Sequence, residues 1–271
     1  MNASNDKRIV AVLTKDLWDQ VKRAKNARDD KKYERAQRLI DDAKARLDEL
    51  WEHHRQEVNK DGANATQEQR DLVAALAEVN GVRGGILRSR GAYELAIDAY
   101  EEGLLFEKHA ARKLDNSYNL VQRLVNRILL EPASVSTRAW TVKGVNMHEA
   151  LKEAETIIEQ QINGTDQLGG TRQNDPWAAC DLLFVRLLRG NQDSLDVRSR
   201  IEDAWNKLER TKPKDYVYES NLRVTKELIA DLEKVPQANR SHELNRIIAD
   251  LRNIRSRFEK GYANATQVER Q

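Results

Sequence analysis

The chain is 271 residues long, enough for one elongated helical domain or two small ones, and its 33% charged and 6% aromatic residues, with 4 Pro and 12 Gly, favour helices over a β-sandwich or barrel. Lys and Arg (46) nearly cancel Asp and Glu (44), which disfavours nucleic acid or an acidic membrane surface as the partner. A single Cys excludes an internal disulfide framework and a cysteine-built zinc site and suits a reducing, cytoplasmic compartment; no apolar run approaches the ~18 residues needed to span a bilayer.

Apolar residues recur at helical spacing almost throughout, which predicts an all-α fold of about ten helices. The first is expected over residues 9–28, with Val12, Leu13, Leu17, Trp18 and Val21 on one face. A second follows Asp29-Asp30 and carries Tyr33, Ala36, Ile40, Ala43, Leu47, Leu50 and Trp51. Asp61-Gly62 breaks the pattern. Thr66-x-x-Gln69 then reads as a capping box, in which each side chain satisfies the other residue's backbone N–H. Helices are expected at 67–89, 92–111 and 116–131, closed by Pro132, with 133–146 as the longest irregular loop. Helix 147–163 stops at Asn163-Gly164. After the Gly169-Gly170 loop, Asp175-Pro176 is an N-cap followed by Pro at the first helical position. Helices near 176–189, 194–210, 215–234 and 241–260 complete the chain, separated by Gly190 and Pro213. Ala-Asn-Ala-Thr-Gln occurs at 63–67 and again at 263–267, where Thr266-x-x-Glu269 resembles a second capping box; a frayed end is expected there.

The block Gly91-x-Tyr93-x-x-Ala96-Ile97-x-x-Tyr100-x-x-Gly103 matches the second half of a tetratricopeptide unit: a turn Gly, a docking aromatic, a small residue at the helix crossing, then a bulky and another small one. Tyr33-x-x-Ala36-x-x-x-Ile40-x-x-Ala43 has the same frame 60 residues earlier. The expectation is a tetratricopeptide-like solenoid of helical hairpins: an N-terminal hairpin at 1–62, a domain continuous with it at 63–262, and a tail at 263–271.

In that frame, positions that ordinarily hold a bulky aromatic and a Leu fall on Asn80 and Arg83, followed by Gly84-Gly85 and Arg88. Adjacent glycines inside a helix cost about 0.5–1 kcal/mol each relative to Ala. Close helix packing accounts for Gly84. It leaves Gly85 unexplained, which suggests bare backbone against which a ligand lies while Arg83 or Arg88 grips an anion. Glu107, Tyr118, Asn119 and Arg123 follow as polar candidates, although Tyr118 and Arg123 stand about 140° apart on one helix. Tyr100 reads as core. Asp175 reads as a helix cap and Trp177 as core or as a stacking platform; with Asp181 they form a possible second cluster.

Catalysis is hard to build from these residues. Cys180 lies on an apolar face, His53 and His54 point about 100° apart, and no phosphate loop, dinucleotide fingerprint or His-Glu-x-x-His motif occurs. No enzyme activity and no cofactor are expected.

From about residue 72 to 232 the chain resembles the tetratricopeptide-type sensor domains, called TPR-S, of bacterial defence systems, and distantly the helical regulatory region of apoptosis-signal kinases. Gly84-Gly85-x-x-Arg88, Tyr100-x-x-Gly103-x-x-x-Glu107, Ser117-Tyr118-Asn119-x-x-x-Arg123-Leu124 and Asp175-Pro176-Trp177-Ala178-x-x-Asp181-Leu182 carry the resemblance. It implies a sensor or adaptor for a small anionic, nucleotide-derived ligand, whose pocket includes Arg88, Glu107, Tyr118, Asn119 and Arg123. It also implies control of a protease-like or TIR-like effector, supplied in trans or by a longer parent chain. The alternative is a scaffold that binds a peptide or helix of a partner protease or kinase.

Overall fold

A computed structural model describes residues 13, 15–60, 64–111, 116–136, 139–164, 172–189 and 196–269. The fold is all-α, with ten helices and one two-stranded antiparallel hairpin among the described residues. In chain order these are α1 (Lys15–Asp29), α2 (Tyr33–Lys60), α3 (Gln67–Ser89), α4 (Tyr93–Glu107), α5 (Tyr118–Leu130), β1 (Thr141–Val142), β2 (Val145–Asn146), α6 (Met147–Asn163), α7 (Pro176–Arg189), α8 (Asp196–Arg210), α9 (Asp215–Leu232) and α10 (His242–Glu269). The expected breaks at Asp61-Gly62, Gly169-Gly170 and Gly190, and residues 9–12 of the expected first helix, lie outside the described residues. No described helix is long and apolar enough to cross a membrane. The chain divides into two compact units, Met1–Asn126 and Arg127–Gln271.

In the first unit α1, α2, α3 and α4 pack as successive neighbours, and α1 also reaches α3. The apolar stripes of α1 (Leu17, Val21, Ala24) and α2 (Ala36, Ile40, Ala43, Leu47, Leu50) meet α3 (Leu72, Leu76, Val79, Ile86) in one core. The expected capping box starts α3: the Gln69 N–H donates to Thr66 Oγ1 at 3.3 Å, and the Thr66 N–H donates to Gln69 Oε1 at 3.0 Å. Because α3 has helices on several sides, it is buried at most positions from Leu72 to Leu87, Asn80, Gly84 and Gly85 included.

The turns before α2 and α4 are the same turn. The Lys32 N–H donates to Ala27 O at 2.8 Å and the Lys31 N–H to Arg28 O at 2.9 Å; sixty residues on, the Ala92 N–H donates to Leu87 O at 3.0 Å and the Gly91 N–H to Arg88 O at 2.8 Å. Lys31 (φ 60°) and Gly91 (φ 74°) both take the left-handed conformation that closes such a helix end. The residues that follow are buried in pairs: Ala36 with Ala96, Ile40 with Tyr100, Ala43 with Gly103.

In the second unit α7 contacts α6, α8, α9 and α10, and every residue from Ala178 to Leu188 is buried. The expected loop at 133–146 contains a 3₁₀ turn at Pro132–Ser134 and the β1–β2 hairpin. Lys143 (φ 49°) and Gly144 (φ 75°) are both left-handed between Val142 and Val145, the signature of a tight two-residue hairpin turn. The last helix, expected to end near 260, continues to Glu269. Thr266 does not cap a further helix; its hydroxyl donates to Tyr262 O at 2.8 Å within α10.

Arg186, in the middle of the apolar α7, is held by charge. Its Nε donates to Glu155 Oε1 at 2.9 Å and its Nη1 to Asp203 Oδ2 at 2.7 Å, while Glu155 also pairs with Arg189 and Arg200. Burial alone would raise the Glu155 carboxyl, but the hydrogen bonds from Arg200, Arg189 and Arg186 outweigh it and leave its pKa below the ordinary value of 4.5. Removing one member of a buried ion cluster strands the others, so Glu155→Ala is expected to cost about 3–5 kcal/mol in urea unfolding at pH 7. The folded-state pKa is depressed, so this stabilisation is complete above about pH 4.5 and is lost as pH falls through the lower folded value. The wild-type advantage over Glu155→Gln should shrink over that window; an advantage independent of pH would exclude the charge as its source.

Candidate functional site

The first unit brings some of the expected site residues together and separates others. Arg83 points toward α2, where its Nε meets Asp41 Oδ1 at 3.0 Å in a half-exposed ion pair. Arg83 and Arg88 stand about 140° apart on α3, so the backbone directs only Arg88 toward α5. There its Nη1 donates to Gln122 Oε1 at 3.1 Å.

Glu107 and Asn119 are buried and serve as a clamp. Asn119 Nδ2 donates to Glu107 Oε1 at 2.8 Å and to Ala77 O at 3.1 Å, and the Asn119 N–H also donates to Glu107 Oε1 at 3.3 Å. One side chain therefore joins α3, α4 and α5. Gly103 makes room for it, since a Cβ there would lie 2.7 Å from the Asn119 amide. Arg123, partly exposed, follows one turn after Asn119 on α5 and so shares that residue's face rather than Tyr118's.

The two glycines of α3 do different things. A Cβ on Gly84 would lie 2.7 Å from the Tyr100 ring, so the ring covers that backbone and the absent side chain permits close packing of α3 on α4. Gly85 is not capped by a ring. The three atoms nearest a Cβ built there are Arg28 Nη1 at 3.1 Å, Tyr100 Oη at 3.6 Å and Tyr118 Oη at 3.8 Å. Three helices thus bring N–H and O–H groups to one glycine of a fourth.

Tyr100 is 0% exposed, and its hydroxyl interacts with that of Tyr118 without reaching full hydrogen-bond geometry. Burial, then the neighbouring Tyr118 hydroxyl, pushes its pKa well above the ordinary phenol value, against the pull of Arg88 and Arg28. The phenol keeps its proton and remains a donor. Tyr118 is 37% exposed, and its ring meets Tyr100 edge-on at 6.0 Å between centroids. Arg28 is tethered by Asp29 through Nε (3.0 Å) and Nη2 (2.9 Å), while Nη1 faces Gly85 without a hydrogen bond among the described residues.

Arg28 is not among the candidates that the sequence motifs mark, yet the sequence carries a signal for it. Arg28-x-x-x-x-Tyr33 and Arg88-x-x-x-x-Tyr93 fall in the same register of the 60-residue match, just upstream of the aromatic frame. Tyr100 fits its expected place in the core, but its hydroxyl makes it a site residue as well.

In the second unit Asp175 caps α7, accepting the Trp177 N–H at 2.8 Å and pairing with Arg172 at 2.8 Å. Trp177 is 40% exposed rather than core and lies 6.4 Å from the Tyr216 ring, whereas Asp181 is buried within α7. Burial, with Asp181 and Asp175 nearby, raises the Cys180 thiol well above its ordinary pKa, which keeps it protonated and unreactive. Among the described residues no three His, Cys, Asp or Glu side chains form a metal-ligating group.

Comparison with protein-family models, with curated proteins and with solved structures finds no match to this chain.

The contrast between the glycines is measurable. Gly84→Ala forces a methyl against a buried ring and should destabilise by about 1–3 kcal/mol. At Gly85 the nearest atom is the far end of a flexible Arg, and the added helix propensity is worth up to about 1 kcal/mol. Gly85→Ala should therefore melt at or above the wild-type temperature. A Gly85→Ala variant that melts as low as Gly84→Ala would refute the distinction.

Proposed function

We propose that the chain is a non-catalytic, tetratricopeptide-like sensor or adaptor that binds a small anionic ligand beside Gly85 and controls a partner effector. The observation that carries the reading is the set of groups around Gly85: Arg28 Nη1 and the Tyr100 and Tyr118 hydroxyls are its nearest neighbours, and Arg88 is close enough to act on the Tyr100 phenol. A site built of cations and protonated hydroxyls recognises negative charge. The half-exposed Tyr118 ring adds a face on which a planar group can stack, which suits a nucleotide-derived ligand. The repeated turns at Lys31 and Gly91 and the paired buried positions after them support the tetratricopeptide-like reading. The order of the TPR-S-like motifs supports the effector partner.

Thermal-shift screening of linear and cyclic nucleotides, dinucleotides and ADP-ribose derivatives tests the reading. At least one should raise the wild-type midpoint. Losing one charge-assisted contact should cost about 1.5–3 kcal/mol, so Arg88→Ala should weaken that ligand about ten- to a hundredfold by calorimetry. Gly85→Ala, which fills the space without removing a charge, should weaken it while keeping the fold. A wild type unmoved by every anion would refute the proposal.

A further inference from the structure

We propose that His109 is a pH-sensitive latch: neutral, its imidazole links the last turns of α2 to the backbone of the turn that follows α4, and a second ring proton breaks that link. Both ring nitrogens are committed. Nδ1 accepts the Ala111 N–H at 3.1 Å, so it carries no proton. A neutral imidazole then holds its proton on Nε2, and that N–H donates to Asn59 Oδ1 at 2.9 Å. The ring also meets Trp51 edge-on at 5.8 Å between centroids, and Trp51 meets Phe106 edge-on at 5.3 Å. One imidazole thus ties α2, at Trp51 and Asn59, to the chain that leaves α4 just after Glu107.

A proton added at Nδ1 would face the Ala111 N–H donor to donor, so the link is cut at that end however Asn59 responds. The surrounding charges do not favour that proton. On α2, Arg55 shares a face with Trp51 and Asn59, four residues from each, and its partner Glu52 is held at 3.2 Å. Lys60 and Lys108 adjoin the latch in the chain, and Glu107 is occupied by Asn119. Burial leaves the His109 pKa below the ordinary 6.5. The folded chain therefore takes up this proton less readily than the unfolded one. The stability that the latch contributes is complete above about pH 6.5 and declines as pH falls toward the lower folded value, where the Ala111 bond itself opens.

The test is NMR on the full chain between about pH 8 and about pH 5, following the His109 ring nitrogens and the Ala111 amide. The neutral ring should be the Nε2–H tautomer and should titrate below pH 6.5. Through that titration the Ala111 amide, corrected for the intrinsic pH dependence of exchange, should lose protection about tenfold. Asn59→Asp puts a carboxylate against Nε2–H. It should raise the His109 pKa above that of wild type and carry the loss of Ala111 protection to higher pH with it. An Nδ1–H tautomer, a wild-type titration at or above pH 6.5, or Ala111 protection indifferent to the titration would each overturn the latch. So would an Asn59→Asp variant that titrates as wild type does.

Discussion

The seat of the Tyr100 ring on Gly84 is the contact on which the rest of the first unit depends. A helix brings its neighbour this close only where a side chain is missing, and here a Cβ would lie inside the ring's van der Waals envelope. Once the ring is seated, its para-hydroxyl must emerge one residue further along α3, beside Gly85. That second glycine has no comparable packing partner. Its own lack of a side chain leaves the hydroxyl facing Arg28 and Tyr118 instead of a methyl. One close approach thus fixes where the Tyr100 hydroxyl lies.

The two units deal with buried charge in opposite ways. In the second, Glu155, Arg186, Asp203, Glu159, Arg189 and Arg200 satisfy one another, and the cluster ties α6, α7 and α8 together across a helix that is otherwise apolar. Such a cluster closes on itself and leaves nothing for a ligand to complete. In the first unit Glu107 is likewise occupied, by Asn119. The groups nearest Gly85 differ in that they include no carboxylate: one guanidinium and two phenol hydroxyls. Arg28 there is held by Asp29, and the Tyr100 and Tyr118 hydroxyls lie against each other.

Much of this fold is legible in the sequence because it follows from local rules. Helix periodicity, the Thr66–Gln69 capping box, the Gly164 stop and the Asp175-Pro176 start all act within a few residues, and they recur in the structure where the spacing puts them. Helical periodicity is blind to the β1–β2 hairpin, although Lys143-Gly144 near two valines carries its turn chemistry. The extension of α10 was not readable locally at all: it rests on Gly261 fitting beneath the Tyr218 ring, a contact between separate helices. The site shows the same division. Gly85 and Arg88 mark departures from a repeat, and Tyr118 is a polar residue of a following helix. Arg83 stood out for the same reason but turns to Asp41, because the facing of a side chain depends on the partner across the groove and not on the motif.

Arg28 shows how a repeat can bring together side chains that no single copy contains. Arg28 and Arg88 close equivalent turns, each offering its carbonyl to the left-handed residue three positions on. In the first hairpin the positions matching Gly84 and Tyr100 are Ala24 and Ile40, both fully buried, so that copy has an apolar closure and no hydroxyl. The second copy replaces the alanine with glycine and the isoleucine with tyrosine. The arginine of the first hairpin lies against the second copy, beside the glycine next to that exchange. Two cations reach one place because adjacent hairpins present the same residue at the same point of the turn. The exchange of an aliphatic for a phenol in one copy then turns a packing contact into a donor. The junction between hairpins therefore draws on both copies: α1 supplies Arg28, while the motif that marks the second hairpin accounts for the glycine, one arginine and the phenol.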